Sequence, residues 1–167
     1  MICPVCGFEN IQGTDECENC HADLRASDIP EASSAFEAIL VDVPLAAVKH
    51  HTPLTIAPSA SASDAVAQMQ AANVGCLLVE DADGTLRGIL SERDLLMKLS
   101  GAGLEGVGVA DLMTSDPVVL RGDDSVAVAI HKMAVGGFRH IPLVTDGQVT
   151  GIVSARDIFA HILAALR

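Results

Sequence analysis

The chain has 167 residues and a mass of 17.3 kDa, and half of its residues are hydrophobic, which is enough for one core and a small appendage. It contains four Phe but no Trp or Tyr, and its formal net charge is −12. Few aromatic platforms and a strongly negative charge both disfavour binding of nucleic acid. No apolar run approaches the roughly 20 residues that span a bilayer, and the start carries no secretory leader pattern. We therefore expect a cytoplasmic protein that contacts neither membrane nor nucleic acid.

Two Cys-x-x-Cys pairs near the start, Cys3 with Cys6 and Cys17 with Cys20, are separated by ten residues. Each pair forms a tight turn, and two such turns complete a tetrahedral sulfur shell for zinc. This short segment has too few apolar side chains to fold by burial alone, so a metal must supply the folding energy. Two disulfides, which a cytoplasmic chain disfavours, bound iron and a redox dithiol are the alternatives. The four cysteines predict a closed structural zinc site, with His21 outside the ligand set.

The next segment, residues 25–42, mixes Ser, Pro and acidic residues and is predicted to be a linker. Residues 31–40 have a weakly helical pattern. Its apolar side chains Phe36, Ile39 and Leu40 are candidates to dock on the core that follows.

The rest of the chain contains an internal repeat: residues 53–96 and 117–159 follow one pattern, with a one-residue deletion near the turn at residues 81–84. Each copy predicts a short strand, a helix, two strands and a closing helix. Such a unit exposes an apolar face on its own. The two copies should therefore pack together and leave a cleft between them.

Capping residues bound the first helix of each copy. Ser61, with Asp64 completing a capping box, and Ser125 are suited to start these helices. Asn73 and the Gly136-Gly137 pair are suited to end them. The apolar run after each helix predicts a buried strand. Cys76, in the first of these strands, is expected to be a small buried hydrophobe.

The motif Gly-Ile-hydrophobic-Ser-x-Arg-Asp occurs before the closing helix of both copies, at residues 88–94 and 151–157. Its Ser-x-x-Asp part is a capping box, which by itself requires only the start of a helix. Alternatively, the hydroxyl and carboxylate line the cleft and bind a ribose diol, beside a helix N-terminus that favours an anion. The two interpretations are compatible, and the residues alone leave both open.

The two copies resemble a tandem of cystathionine-β-synthase (CBS) domains, the Bateman module, over residues 43–167. The resemblance is carried by residues 73–79, 113–117 and 137–144 together with the repeated Ser-x-Arg-Asp motif. It implies an α/β (α+β) fold of two β-α-β-β-α repeats. The cysteine segment resembles the short zinc ribbons attached to many bacterial and archaeal proteins. The expected domains are a zinc ribbon at 1–24, a linker at 25–42, a first CBS domain at 43–100 and a second at 101–167.

The CBS resemblance also implies an adenine nucleotide, AMP, ADP or ATP, bound between the repeats. In the family the motif carboxylate typically holds ribose hydroxyls, and basic residues just before the Ile-Pro strand typically reach phosphate. The implied site residues are Ser91, Asp94, Arg139, His140, Ser154 and Asp157. Gly75 and Cys76 stand in the first copy where Arg139 and His140 stand in the second, so we expect unequal sites.

Other interpretations of the basic residues remain open. Arg139 also suits a solvated loop, and His140 also suits a packing role. Arg93 and Arg156 are expected to point away from their neighbouring aspartates. His50 and His51 form a basic pair without an assigned role.

The function expected first is regulatory and non-enzymatic: the repeats bind a nucleotide, and the ribbon or linker contacts a protein partner. One alternative is a nucleic-acid-associated regulator that reads through the ribbon, and another is a purely structural dimerisation unit. No Ser–His–Asp or Cys–His spacing suggests catalysis. We also expect a homodimer through apolar helix faces, represented by Met69, Leu95, Met133 and Phe159.

Overall fold

A computed structural model describes residues 2–3, 5–11, 14, 16–22, 24, 34–99 and 103–166. The helices are α1 Ala35–Val41, α2 Ala62–Ala72, α3 Glu92–Lys98, α4 Val109–Leu112, α5 Val126–Gly136 and α6 Ala155–Ala165. The strands are β1 Thr55–Ile56, β2 Cys76–Glu80, β3 Leu86–Ser91, β4 Thr114–Ser115, β5 His140–Thr145 and β6 Gln148–Ser154. The predicted mixed fold of two similar repeats is confirmed. None of the helices in the described ranges is long and apolar enough to cross a bilayer.

The two repeats share one sheet plan. In the first, β1 runs parallel to β2, and β3 pairs antiparallel with β2 on one side and with β4 on the other. In the second, β5 and β6 form an antiparallel pair. Single bridges extend this pair on both sides, from Leu120 to Leu143 in parallel and from His51 to Ile152 in antiparallel orientation. Both repeats therefore place four chain segments in the same order.

The predicted caps bound α2 and α5. Ser61 Oγ accepts the backbone N–H of Asp64 at 3.0 Å, and Ser125 Oγ accepts that of Val128 at 3.4 Å. Asn73 and Gly137 end the helices in the left-handed conformation, with φ of 52° and 66°. The capping box expected at Asp64 is incomplete, because its carboxylate accepts the Ser61 hydroxyl at 2.7 Å and no bond to the Ser61 backbone N–H is formed.

The core of each repeat contains residues that precede the other repeat in sequence. We call residues 43–52 and 107–116 the first and second lead segments. Leu45 and Val48 of the first lead segment lie in the core built on α5, β5 and β6. Val109 and Leu112 of the second lie in the core built on α2, β2 and β3. Cutting the chain at residue 100 would therefore open both cores.

Part of the expected linker is ordered on the second repeat. Ser34 caps α1 by accepting the Glu37 N–H at 3.1 Å. Leu40 packs against the second core, whereas Phe36 is 47% exposed. The expected helix began at residue 31, and residues 31–33 lie outside the described residues.

Two methionines expected on a dimer face are buried instead. Met69 and Met133 are 4% and 7% exposed because each packs into the core of its own repeat. Phe159 is 61% exposed and does lie on the surface.

Candidate functional site

Both Ser-x-x-Asp motifs form complete capping boxes, at the starts of α3 and α6. In the first, the Ser91 backbone N–H donates to Oδ2 of Asp94 at 2.9 Å. In the second, the Ser154 N–H donates to Oδ2 of Asp157 at the same distance. The capping function thus engages one carboxylate oxygen in each repeat. Any binding function depends on what faces the other oxygen, Oδ1.

Around Asp94, two side chains already engage Oδ1. The Thr114 hydroxyl donates to it at 2.9 Å, and Nζ of Lys98 lies 3.4 Å away. The same ammonium donates to the carbonyls of Leu112 and Met113 at 2.6 and 3.1 Å. Burial raises the pKa of Asp94, but the hydrogen bonds from Ser91 and Thr114 and the Lys98 charge outweigh it, so the pKa is lowered. Asp94 is an ionised carboxylate with its partners supplied by the protein.

Around Asp157, Oδ1 faces one exposed side chain within the part of the chain that the structure describes. Nε2 of His51 lies 3.2 Å from it, and the His51 side chain is 55% exposed. Burial raises the pKa of Asp157, but hydrogen bonds from Ser154 and His51 outweigh it and hold the pKa below its usual range. Asp157 therefore presents a charged acceptor whose neighbour on Oδ1 is one half-exposed imidazole.

His51 is a site residue that sequence reasoning left without a role. It bridges to Ile152 of β6, and Thr114 pairs with the equivalent residue, Ile89 of β3. Each lead segment thus places one polar side chain on the motif aspartate of the other repeat. The sequence registry that sets Pro53 over Pro117 pairs His51 with Ser115, so only the strand pairing reveals that His51 and Thr114 are equivalent.

The close approach of the lead segments also explains the glycines of the motif. A Cβ at Gly88 would lie 2.8 Å from Sδ of Met113 and from the carbonyl oxygen of Thr114. A Cβ at Gly151 would lie 2.8 Å from the ring of His50. The lead segments cross β3 and β6 at these points, so a side chain there would push them away.

An open cleft of about 1090 Å³ lies between the repeats on the Asp157 side. One wall is formed by the end of the first lead segment and residues 53–54. The others are formed by the end of α2 with the residues that follow it up to 76, and by the starts of β5 and α6. Four of the six predicted site residues line it: Arg139, His140, Ser154 and Asp157. Ser91 and Asp94 are not among its lining residues, so the structure separates them from the other four.

Basic side chains predominate in this cleft. Its lining includes three of the chain's ten Lys and Arg residues but only two of its 22 acids, Glu92 and Asp157. The basic lining residues are Lys49, His51, Arg139, His140 and Arg156. Arg156 and its neighbour Asp157 both line the cleft. In a protein of net charge −12, this concentration of positive charge favours an anionic ligand.

His140 and Cys76 occupy equivalent positions at the junction of the repeats. Burial lowers the pKa of His140, the charges of Asp157 and Glu92 raise it, and those of Arg139 and Arg156 lower it, with a net decrease. Cys76 is buried as expected, and burial raises the pKa of its thiol to about 12. Cys76 is therefore an inert thiol in the cleft wall.

The four N-terminal cysteines converge. Their Sγ atoms all lie within 4.8 Å of one another, with Cys3 to Cys20 and Cys6 to Cys17 each at 3.6 Å. These distances exceed the disulfide bond length of about 2.05 Å. Sulfurs roughly 2.3 Å from a tetrahedral zinc ion lie roughly 3.8 Å apart, so the cluster fits zinc.

Two equivalent turns build this cluster. The backbone carbonyl oxygens of Cys3 and Cys17 accept the N–H groups of Gly7 and His21, each four residues later, at 2.9 Å. Both of those residues have positive φ, 72° and 56°. His21 therefore serves as the backbone counterpart of Gly7 and is not a member of the cluster.

A buried amide supports the cluster. Nδ2 of Asn10 donates to Sγ of Cys17 at 3.6 Å, and its Oδ1 accepts the Glu18 N–H at 3.0 Å. Burial raises the pKa of Cys17, but backbone N–H groups of Cys20 and Asn19 and the Asn10 amide outweigh it and lower the pKa to about 6. A stabilised thiolate is the form that binds a metal.

Known proteins of one family share the arrangement of the repeats. The family model for the CBS domain matches residues 45–101 and 109–164. The CBS domain-containing protein CBSCBSPB5 of Arabidopsis thaliana is 35% identical over 115 residues, which are 68% of this chain and 21% of that protein. The chain thus spans about a fifth of the length of this plant relative.

Solved structures are similar over the same region. A CBS-domain protein from Agrobacterium tumefaciens has a TM-score of 0.63 at 30% identity, covering 66% of this chain and 89% of that chain. CBSX2 in complex with AMP has a TM-score of 0.65 at 27% identity, covering 74% and 99%. Because the family model matches more than half of its residues, this chain, a tandem of two CBS domains, belongs to the CBS-domain family.

Proposed function

We propose that the chain is a regulatory module that binds an adenine nucleotide in the cleft on the Asp157 side. The observation that carries the proposal is the state of Oδ1 in the two motif aspartates. At Asp94 this oxygen is engaged by Thr114 and Lys98, whereas at Asp157 the exposed His51 is its one partner among the described residues. A ribose diol replaces His51 on Oδ1 while Oδ2 continues to cap α6.

Arg139 and His140 take the phosphate in this proposal. Both line the cleft with Asp157, and Arg139 is exposed, so its guanidinium is available to an anion. Glycine and cysteine at the equivalent positions of the first repeat provide no such charge. The AMP complex of the similar protein CBSX2 supports a nucleotide as the ligand class. The chain therefore has one nucleotide site in this proposal and an Asp94 half that is structural.

Calorimetric titration of the full chain with AMP, ADP and ATP tests the proposal. Asp157→Asn should weaken binding about ten- to a hundredfold, because a charged acceptor is lost from the ribose. Asp94→Asn is the matched control, since it changes the same motif position and should leave affinity unchanged. No binding by the wild type at millimolar nucleotide would overturn the proposal and favour the purely structural dimerisation unit. Equal losses in both variants would show that the two halves are not distinct in function.

We also propose that Cys3, Cys6, Cys17 and Cys20 hold a structural zinc ion. Four converging thiols, a supporting amide and few apolar side chains suit a site whose metal stabilises the local fold. Such a thiolate site suits a reducing compartment, in keeping with a cytoplasmic location. Cys17→Ser should release the metal while the repeats keep their cooperative unfolding transition. Stoichiometric zinc in a Cys3→Ser/Cys17→Ser double variant would contradict the four-cysteine assignment.

A homodimer through α3 and α6 is the third part of the proposal. Large apolar side chains are exposed on these two helices: Leu96, Met97, Phe159, Leu163 and Leu166. Sedimentation of the wild type should show a dimer at tens of micromolar, because ordinary specific dimers persist at that concentration. Phe159→Glu should shift it to monomer. A dimer that survives this change would place the interface elsewhere.

The proposed role involves no catalytic step. The ligand regulates a protein partner, which the cysteine segment or α1 contacts, by favouring one conformation of the pair. This output requires different nucleotide affinities in the two conformations.

A further inference from the structure

We propose that the cleft has a second phosphate subsite at Arg156, so that it selects nucleoside di- and triphosphates over AMP. The inference rests on the proposed nucleotide function and specifies its ligand class. Arg156 is the specificity-determining residue in it.

The two arginines of the Ser-x-Arg-Asp motifs have different surroundings. Arg93, at the start of α3, donates from its guanidinium to the carbonyl oxygen of Gly137 at the end of α5. This bond fixes Arg93 between the repeats on the Asp94 side. Arg156, its counterpart on α6, donates to no carbonyl among the described residues and lines the cleft.

The repeat symmetry shows where Arg156 reaches. Asn73 ends α2 as Gly137 ends α5, and Asn73 lines the cleft together with Arg156. By this symmetry the Arg156 guanidinium can approach the end of α2, and no acceptor among the described residues engages it. A ligand anion there would meet a free, planar donor that suits phosphate.

Arg139 brings a second guanidinium group to the cleft. The Ala155 N–H donates to the Arg139 carbonyl at 2.9 Å, which joins the start of β5 to the start of α6 and so to Arg156. Both arginines line the cleft, and both are exposed. One phosphate can accept from two guanidinium groups, but a chain of two or three phosphates gives each group a bidentate partner of its own.

The charges on the opposite side set the direction of the phosphate chain. The acidic lining residues are Asp157, which takes the ribose, and Glu92, at the start of α3. A Cβ on Gly75 would lie 3.5 Å from both Glu92 Oε2 and His140 Cε1, so the Glu92 carboxylate lies beside Gly75 and His140. A phosphate chain is repelled by this carboxylate and attracted to Arg156.

The test compares adenosine, AMP, ADP and ATP by calorimetry on the full chain. Wild type should bind ADP and ATP at least about tenfold more tightly than AMP. Arg156→Ala should remove this preference and leave adenosine and AMP affinities near the wild-type values. Arg156→Lys should restore part of the preference, because a charge without the bidentate geometry remains.

Arg93→Ala is the matched control, since the same motif position there holds a protein carbonyl. It should lower the melting temperature and leave the preference for ADP over AMP intact. Equal wild-type affinity for AMP and ADP, or an Arg156→Ala variant that keeps the preference, would overturn the inference while leaving the nucleotide function in place. Absence of any nucleotide binding would overturn both.

Discussion

The two sides of the CBS pair carry the same motif in the same backbone geometry and differ in what surrounds it. On the Asp94 side, side chains of the protein satisfy the carboxylate and fix the motif arginine. On the Asp157 side, one exposed histidine faces the carboxylate, and the arginine lines an open cleft. The capping box is therefore a shared structural feature. Availability for a ligand is set by neighbours from other parts of the chain.

A few substitutions between the repeats account for this difference. Lys98 reaches back along α3 to Asp94 and to two carbonyls of the second lead segment, whereas its counterpart on α6 is His161. Thr114 has a short hydroxyl that donates at 2.9 Å, and His51 has a ring that is mostly in solvent. These differences give Asp94 protein partners on Oδ1 and leave Asp157 beside an exposed histidine.

The largest effect on stability should come from the motif glycines. Gly88→Ala should destabilise the chain by about 1–3 kcal/mol, because the new methyl group meets the Thr114 backbone, which cannot rotate away. Gly151→Ala should cost less, since its clash is with the His50 side chain. Urea denaturation of both variants measures the order. A larger loss for Gly151→Ala would show that the first lead segment is held more rigidly than the second.

Stability should also separate the two aspartates. Asp94→Asn should cost about 1–2 kcal/mol, since the cap, the Thr114 bond and the Lys98 pair are weakened together. Asp157→Asn should cost about 1 kcal/mol, the contribution of the cap. Both losses are measured by urea denaturation without nucleotide. Equal losses would argue that the Thr114 and Lys98 contacts with Asp94 do not stabilise the fold.

The stability of the fold at acid pH should depend on the Asp94 carboxylate. The folded pKa of Asp94 is lowered, so its contribution to stability is full above the unfolded value of about 3.9 and is lost as pH falls through the folded value. Wild type should therefore lose more stability than Asp94→Asn between pH 5 and the acid limit of folding, by about 1 kcal/mol. Parallel curves for the two proteins in denaturant titrations at each pH would contradict a lowered pKa.

The smallest effect should come from His51. Because its contact with Asp157 is made by a half-exposed side chain, His51→Ala should cost less than about 1 kcal/mol of stability. Nucleotide affinity should rise by about twofold to fivefold, since the ribose no longer competes with an imidazole. Thr114→Ala is the control and should leave affinity unchanged. A large loss of affinity in His51→Ala would show instead that the imidazole contacts the nucleotide.

The sequence by itself determined the elements of this protein and their duplication. Ser61, Asn73, Ser125 and Gly137 bound their helices as predicted, because caps act through bonds between residues close in sequence. The same locality holds for the two cysteine turns, whose spacing brings four thiols together. The capping boxes at Asp94 and Asp157 were visible in the sequence for this reason too.

Only the tertiary structure decided which of the two motif carboxylates lies in the open cleft. Lead segments cross between the repeats, so the partner of Asp157 is His51, more than 100 residues away in sequence. The sequence shows no periodicity or cap for such a pairing, and it gave no reason to connect His51 with the cleft. The direction of Arg156 likewise depends on the packing of one repeat against the other, because its helix position alone allows several orientations. Local hydrogen bonds can be read along the chain, whereas the free oxygen of a carboxylate and the mouth of a cleft exist only once distant segments have packed.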